Sequence, residues 1–250
     1  MNDLGKTIEA FRRHGWRAPL VIAGSLWRRF SAHRKARAIA GAGDLRTKFS
    51  LIYRARWWDQ QGESVSGPGS TLAFTHDFRL AFEAFLTRHR VTKLFDAPCG
   101  DWNWMREVQL PPGTCYVGAE IVPELVAHLK QAHASDSVDF VQFDITADPF
   151  PQADLWLCRD CLIHLSNADV RKALANFCAS EISYALISNY IGEEPNVDIA
   201  SGDFRPLDLT QAPFLLPPPE FAINDWPGDQ RVRQVCLWSR EQILTALNGK

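Results

Sequence analysis

From residue 91 onward, short runs of consecutive apolar residues alternate with stretches in which apolar residues recur at helical spacing. The runs 91–97, 116–121, 138–144, 155–158 and 184–189 read as strands, and 123–134 and 167–178 read as helices, with a short helix near 104–108. Strands nearly continuous in apolar residues belong in a sheet covered on both faces, and their alternation with helices makes that sheet parallel. After Tyr190 comes a connection of about 30 residues rich in Pro, Asp and Gly, residues 190–219, which is expected to act as a substrate lid. Two further strands, 220–224 and 231–238, and a helix over 240–247 close the chain, one of those strands running antiparallel. The predicted fold is therefore α/β: a Rossmann-like, doubly wound, mostly parallel seven-stranded sheet with one antiparallel strand, and a helical N-terminal extension.

Upstream the pattern is less regular. Residues 7–30 mix apolar and basic positions at loose helical spacing, and Gly15 and Pro19 divide them into two short helices. Residues 62–70 hold three glycines, a proline and three serines, which sustain neither a helix nor a central strand. A helix over 72–88 follows, with Ser70 or Thr71 as its cap and Leu72, Phe78, Phe82, Phe85 and Leu86 as its buried stripe. Two regions result: a basic extension, 1–60, and a domain, 61–250.

Charge sharpens that division. The net charge of −2 conceals 13 Lys/Arg against four acids in residues 1–60, so the leader is strongly basic and the remainder acidic. Such a leader suits anionic lipid, nucleic acid or a phosphorylated partner, or simply forms a solvated helical face. No apolar stretch reaches the roughly 20 residues of a membrane span, and charges at Glu9, Arg12, Arg13 and Arg17 argue against a cleavable signal peptide. Six scattered cysteines suggest reduced thiols and a cytoplasmic setting, with peripheral contact to an inner membrane through the leader. Cys158 and Cys161 form a CxxC without a second ligand pair, so no metal site is expected.

In a doubly wound sheet, ligands sit beyond the carboxyl ends of the strands. The first strand ends in Asp96, Ala97, Pro98, Cys99, Gly100, Asp101 and Trp102. Gly100 lets a ligand approach the backbone, while Asp96 and Asp101 would repel a pyrophosphate and suit a cofactor carrying an ammonium and a sulfonium. Glu120 ends the second strand, where a carboxylate accepts hydrogen bonds from both hydroxyls of an adenosine ribose. Asp144, beside Ile145, ends the third and suits an adenine amino group with an apolar wall for the ring. Each acid alone can instead cap a helix, but Asp96, Glu120 and Asp144 recur at intervals of 24 residues, which one adenosine across the sheet edge would require.

With these residues the chain, over roughly residues 71–247, resembles the class I methyltransferases that use S-adenosylmethionine (SAM). Their usual first motif is acid-x-Gly-x-Gly-x-Gly; here only Gly100 of the three glycines is present. The segment Asp-x-Pro-Cys-Gly-Asp followed by an aromatic residue and Asn-Trp resembles a bacterial subgroup of that class, as do residues 63–70 and 202–207. The resemblance implies SAM as cofactor, held by Asp96, Pro98, Gly100, Asp101, Trp102, Glu120, Ile121, Asp144, Ile145 and Arg159. It also implies that the segment after the fourth strand faces the transferred methyl group. His164 and Asp160 are there the candidate bases, four residues apart and on one face if helical; His164 is preferred, with Asp160 orienting it or the substrate. Arg159 can also anchor substrate or pair within the sheet edge. For the acceptor, Arg205 in the lid, Asn189 and Tyr190 after the fifth strand, Ser66 in the upstream loop and the stacking face of Trp58 are the candidates; Trp57 and Trp104 offer similar faces, and core packing competes for all three.

The expected reaction is methyl transfer to a small polar acceptor, a hydroxyl of a sugar or glycoconjugate. An RNA methyltransferase with a basic arm is the alternative, though no RNA-binding module and no Asn/Asp-Pro-Pro-aromatic tetrapeptide is present, so nucleic acid is disfavoured. A nucleotide-binding oxidoreductase lacks its Gly-x-Gly-x-x-Gly. A non-catalytic SAM-binding module would keep Glu120 and Asp144 and need no base.

Overall fold

The computed structural model describes residues 37–59, 62–192, 195–226, 228 and 232–249. The two short helices expected in 7–30 lie outside the described residues. By their contacts, residues 44–59 group with the domain that follows.

The domain begins with helix α1 (Leu45–Arg54), capped by Asp44, whose carboxylate accepts from the Thr47 backbone. Helix α2 spans His76–Arg88. It starts four residues later than the pattern suggests, because Thr71 and Thr75 spend their hydroxyls in turns: Thr71 Oγ1 donates to the Pro68 carbonyl and Thr75 Oγ1 to the Thr71 carbonyl. Strand β1 (Lys93–Asp96), β2 (Cys115–Glu120), helix α3 (Pro123–His133), β3 (Val138–Gln142), β4 (Leu155–Cys158), helix α4 (Asn167–Cys178) and β5 (Tyr184–Tyr190) follow in alternation. The chain then runs through β6 (Phe221–Asn224), β7 (Arg233–Ser239) and helix α5 (Arg240–Asn248). The helix expected near 104–108 is a single 3-10 turn, Met105–Glu107. Ser166 caps α4 and a reciprocal Ser239–Gln242 capping box opens α5, which is why both helices begin where the pattern places them.

The seven strands lie in the order β3-β2-β1-β4-β5-β7-β6. β1 to β5 are parallel, and β7 runs antiparallel to both neighbours, inserted between β5 and β6. This is the doubly wound, mostly parallel sheet with one antiparallel strand that the pattern anticipates. One face packs on α4 and α5 through Trp156, Val170, Leu174, Phe177 and Trp238, and the other on α2 and α3 through Phe78, Phe82, Leu125 and Leu129. Every residue of β4 is buried, and each such large side chain contributes roughly 1.5–3 kcal/mol.

Two consequences of this topology position the site. The carboxyl ends of the parallel strands share one edge. Because β7 is antiparallel, its first residue reaches that same edge, where Arg233 pairs in register with Tyr190, the last residue of β5. β6 runs antiparallel to β7 and so delivers Asp225 and Trp226, just past its end, to the same place.

Candidate active site

A cavity of about 420 Å³ opens along that edge. The residues after β1 reach it at Pro98 and Gly100, those after β2 at Glu120 and Ile121, and those after β3 at Asp144 and Ile145. Asp160, Cys161 and His164 line it beyond β4, and Tyr190 at the end of β5. Residues 65–70, a strap across one side, and Trp58, Phe49 and Tyr53 complete the wall.

Strap and first loop are interlocked. Gly100 has φ 56° and lies so close to the strap that a Cβ there would stand 2.5 Å from Ser66 Oγ. That hydroxyl accepts from the Asp101 backbone N–H at 3.0 Å, and the Asp101 carboxylate accepts from Ser64 Oγ at 3.0 Å and the Val65 backbone at 2.8 Å. Asp101 therefore tethers the strap and does not itself line the cavity.

The acids differ in availability. Glu120 accepts with one oxygen from the backbone N–H groups of Ile121 and Val122 at 2.8 and 3.2 Å. Burial pushes its pKa up to about 7 against the pull of those N–H groups. Asp144 accepts from the Thr146 backbone and hydroxyl through Oδ1, at 2.8 and 2.7 Å, which fixes its orientation at the rim. Asp96 is placed otherwise than the strand-end argument suggests. Its side chain is buried outside the cavity, accepts from the Tyr116 hydroxyl at 2.7 Å, and burial raises its pKa to about 7. Trp102 likewise turns away, packing on Tyr116, Phe140 and His133.

His164 closes a 3-10 turn, Leu162–His164, and not the α-helix on which a spacing of four would align it with Asp160. Its Nδ1 lies 2.8 Å from the Asp203 carbonyl. A carbonyl only accepts, so Nδ1 carries the proton and Nε2 keeps its lone pair. The ring stacks on Trp58 at 4.7 Å, and desolvation lowers its pKa. This is a neutral imidazole held in one tautomer, suited to taking a proton. Asp160 makes no hydrogen bond to it; the backbone of Asp203 does the orienting.

Asp160 belongs to a different device. Both its oxygens accept from Arg233 Nη1 at 2.7 Å. Arg233 also pairs with Asp225 at 2.9 Å, and Asp225 with Arg159 at 2.9 Å, while Arg159 donates to the Gly69 carbonyl at 2.8 Å. The Asp225 side chain is 0% exposed. Rings pack over the two guanidinium groups: Phe78 and Trp104 at 5.3 and 5.2 Å from Arg159, and Phe74 at 4.9 Å from Arg233. Arg159 thus pairs within the sheet edge and stands behind the cavity wall. Arg233, Trp226 and Phe204, which do line the cavity, carry no local sequence signal; only the antiparallel placement of β7 would have pointed to the first two.

Two acceptor candidates are engaged elsewhere. Arg205 is buried and donates to the Leu165 carbonyl at 2.6 Å and to Asn167 Oδ1 at 3.0 Å, tying its loop to the domain. Asn189 accepts from the Leu209 backbone at 2.6 Å and donates to Asp208 at 3.2 Å. In the segment after β5, Leu207, Leu209, Phe214 and Leu216 are buried in the core, and among its described residues Phe204 reaches the cavity.

No protein-family model matches the chain, and no curated protein matches it. Among solved structures, it is similar to the 1,6-didemethyltoxoflavin-N1-methyltransferase of Burkholderia thailandensis, at 18% identity and a TM-score of 0.54, covering 78% of this chain and 86% of that one. The magnesium protoporphyrin IX methyltransferase of Synechocystis gives 12% identity and a TM-score of 0.49 over 84% and 91% of the two chains. Human N-acetylserotonin methyltransferase gives 16% and 0.46 over 76% and 69%. The first of these likenesses shows that the chain shares that protein's Rossmann-like fold.

Proposed function

We propose that the protein is a SAM-dependent methyltransferase acting on a hydroxyl of a small polar acceptor, in the sugar or glycoconjugate class. The observation that carries this reading is that Glu120, Asp144 and the unprotonated face of His164 belong to one cavity at the carboxyl edge of the sheet.

The donor set suits the cofactor. Glu120 accepts from the backbone N–H groups of Ile121 and Val122 through Oε1 and also from that of Gly100, and the carboxylate keeps capacity to accept from ribose hydroxyls. Ile121 and Ile145 supply apolar surface for an adenine, and Asp144 an acceptor for its amino group. Gly100 provides the close backbone approach, and the charge of Arg233, which borders the cavity, is offset by Asp160 and Asp225. SAM, when bound, supplies an electrophilic methyl on sulfur. His164 Nε2 takes the proton of the attacking hydroxyl, while the Asp203 carbonyl stabilises the imidazolium through Nδ1–H. Trp58, stacked on the imidazole, and Phe204 shield it from water. The basic leader, by its charge alone, is proposed to bring the enzyme to anionic surfaces.

Calorimetric titration with S-adenosylhomocysteine (SAH), beside NADH, tests the reading. Micromolar binding of SAH alone is expected, weakened on the order of tenfold to a hundredfold in Glu120→Ala by loss of charge-assisted hydrogen bonds. The Glu120 pKa of about 7 adds a sign: its ionised form is the one that accepts two hydroxyl donors, so SAH affinity should rise from pH 6 to pH 8. Absence of SAH binding, or equal affinity in the variant, removes the proposal.

A further inference from the structure

We propose that Asp160 is the acceptor-binding carboxylate of this site and that it selects neutral, ring-shaped polyhydroxyl compounds such as pyranosides. The inference rests on the methyltransferase reading for its meaning, and on the Asp160 surroundings for its argument.

A carboxylate offers about four acceptor positions. Arg233 Nη1 occupies one on each oxygen, and the next nearest donors, Ser188 Oγ and Arg159 Nη1, stand at 3.5 and 3.6 Å. The side chain keeps 18% exposure and borders the cavity. The contacts beyond Arg233 are long, so the carboxylate keeps capacity to accept from hydroxyls where it borders the cavity. The group is also held rigidly: its own backbone N–H donates to Ser188 Oγ at 2.9 Å, and Asp225 and Arg159 fix Arg233 from behind.

Charge decides what kind of donor fits. Arg159 and Arg233 offset Asp160 and Asp225, so the cluster is neutral as a whole and a cationic ligand gains little net attraction. An anionic ligand gains no more, because the same carboxylates offset Arg233. A neutral hydroxyl pair needs neither attraction. Trp58, Tyr190 and Trp226 border the same cavity and offer apolar faces to the C–H side of a sugar ring. Asp160 and His164 border the same cavity, so a ring gripped by Asp160 occupies the space that the base also lines.

The strap supplies a second, independent handle. A Cβ on Gly69 would stand 2.8 Å from Asp160 Oδ2, so only glycine lets the strap seat against that oxygen without displacing it.

The test uses the full-length protein saturated with SAH, titrated with methyl α-glucopyranoside, methyl α-mannopyranoside, glucosamine and glucuronate, and followed by saturation-transfer NMR and calorimetry. The neutral glycosides should bind, the charged sugars more weakly. Asp160→Asn should weaken the glycosides on the order of tenfold or more with SAH affinity unchanged. Gly69→Ala, which keeps the carboxylate, should shift glycoside affinity in the same direction by less. The assignment is overturned if neither glycoside binds, if both bind Asp160→Asn as tightly as the parent, or if Asp160→Asn loses SAH instead, which would place Asp160 on the cofactor. The titration is repeated without SAH, so that a failure to bind SAH counts against the methyltransferase reading and leaves glycoside binding at Asp160 to be decided separately.

Discussion

Replacing His164 with alanine is expected to lower turnover by roughly a hundredfold or more, the usual contribution of a positioned general base, while SAH affinity stays as in the parent. The expectation rests on the tautomer fixed by the Asp203 carbonyl and on a base that is already neutral. Because desolvation depresses the His164 pKa, the acid limb of the kcat/KM profile should lie below the ordinary histidine value, with activity falling only as pH drops through that lowered pKa. Stability follows the same sign: the unfolded chain takes up the proton at higher pH than the folded one, so this group costs stability as pH falls from the unfolded value toward the folded one. Steady-state assays across pH 5 to 9 on parent and variant check both points. A His164→Ala enzyme of undiminished turnover would show that the hydroxyl loses its proton without this imidazole.

The other large effect concerns folding. Asp225→Ala should lower the melting temperature by roughly 10 °C, since breaking a buried ion pair from one side costs about 3–5 kcal/mol and each kcal/mol moves a domain of this size by about 2–4 °C. Asp225 pairs with Arg159 and Arg233 at once and its side chain is fully buried, so its removal strands two guanidinium groups on a single remaining carboxylate. Differential scanning calorimetry measures the shift; a melting temperature within a degree or two of the parent would mean that water reaches the network.

What the sequence discloses follows from the range of the interactions involved. Consecutive apolar residues and helical spacing are local, and they place β1 to β5 and the helices between them within a few residues of their positions. Glu120, Asp144 and His164 are legible because each lies at the end of a strand or within a few residues after it, and those strand ends are themselves legible. Asp96 looks equivalent by that rule, yet Tyr116, one strand over, takes its carboxylate into the interior. Arg205 carries the charge expected of a substrate clamp, but the Leu165 carbonyl, 40 residues upstream, needed a donor and received it. Arg159, Asp225 and Arg233 are separated by as many as 74 positions and meet only once β7 is threaded between β5 and β6. No spacing rule along the chain carries that information. The boundary of the domain shows the same limit. Asp44 caps a helix whose Ile52 is buried in the domain, although the charge count assigns both to the basic leader.

The connection between β5 and β6 has a wider bearing. Its composition suggests a shutter, yet Leu207, Leu209, Phe214 and Leu216 are buried in the core. A segment whose apolar residues are already packed has less conformational entropy to lose on association than an open loop, which in the proposed reaction lowers the cost of binding an acceptor. In the proposed reaction, acceptor preference would then be changed through side chains that line the cavity, such as Phe204 and Trp226, more than through the length of the loop behind them.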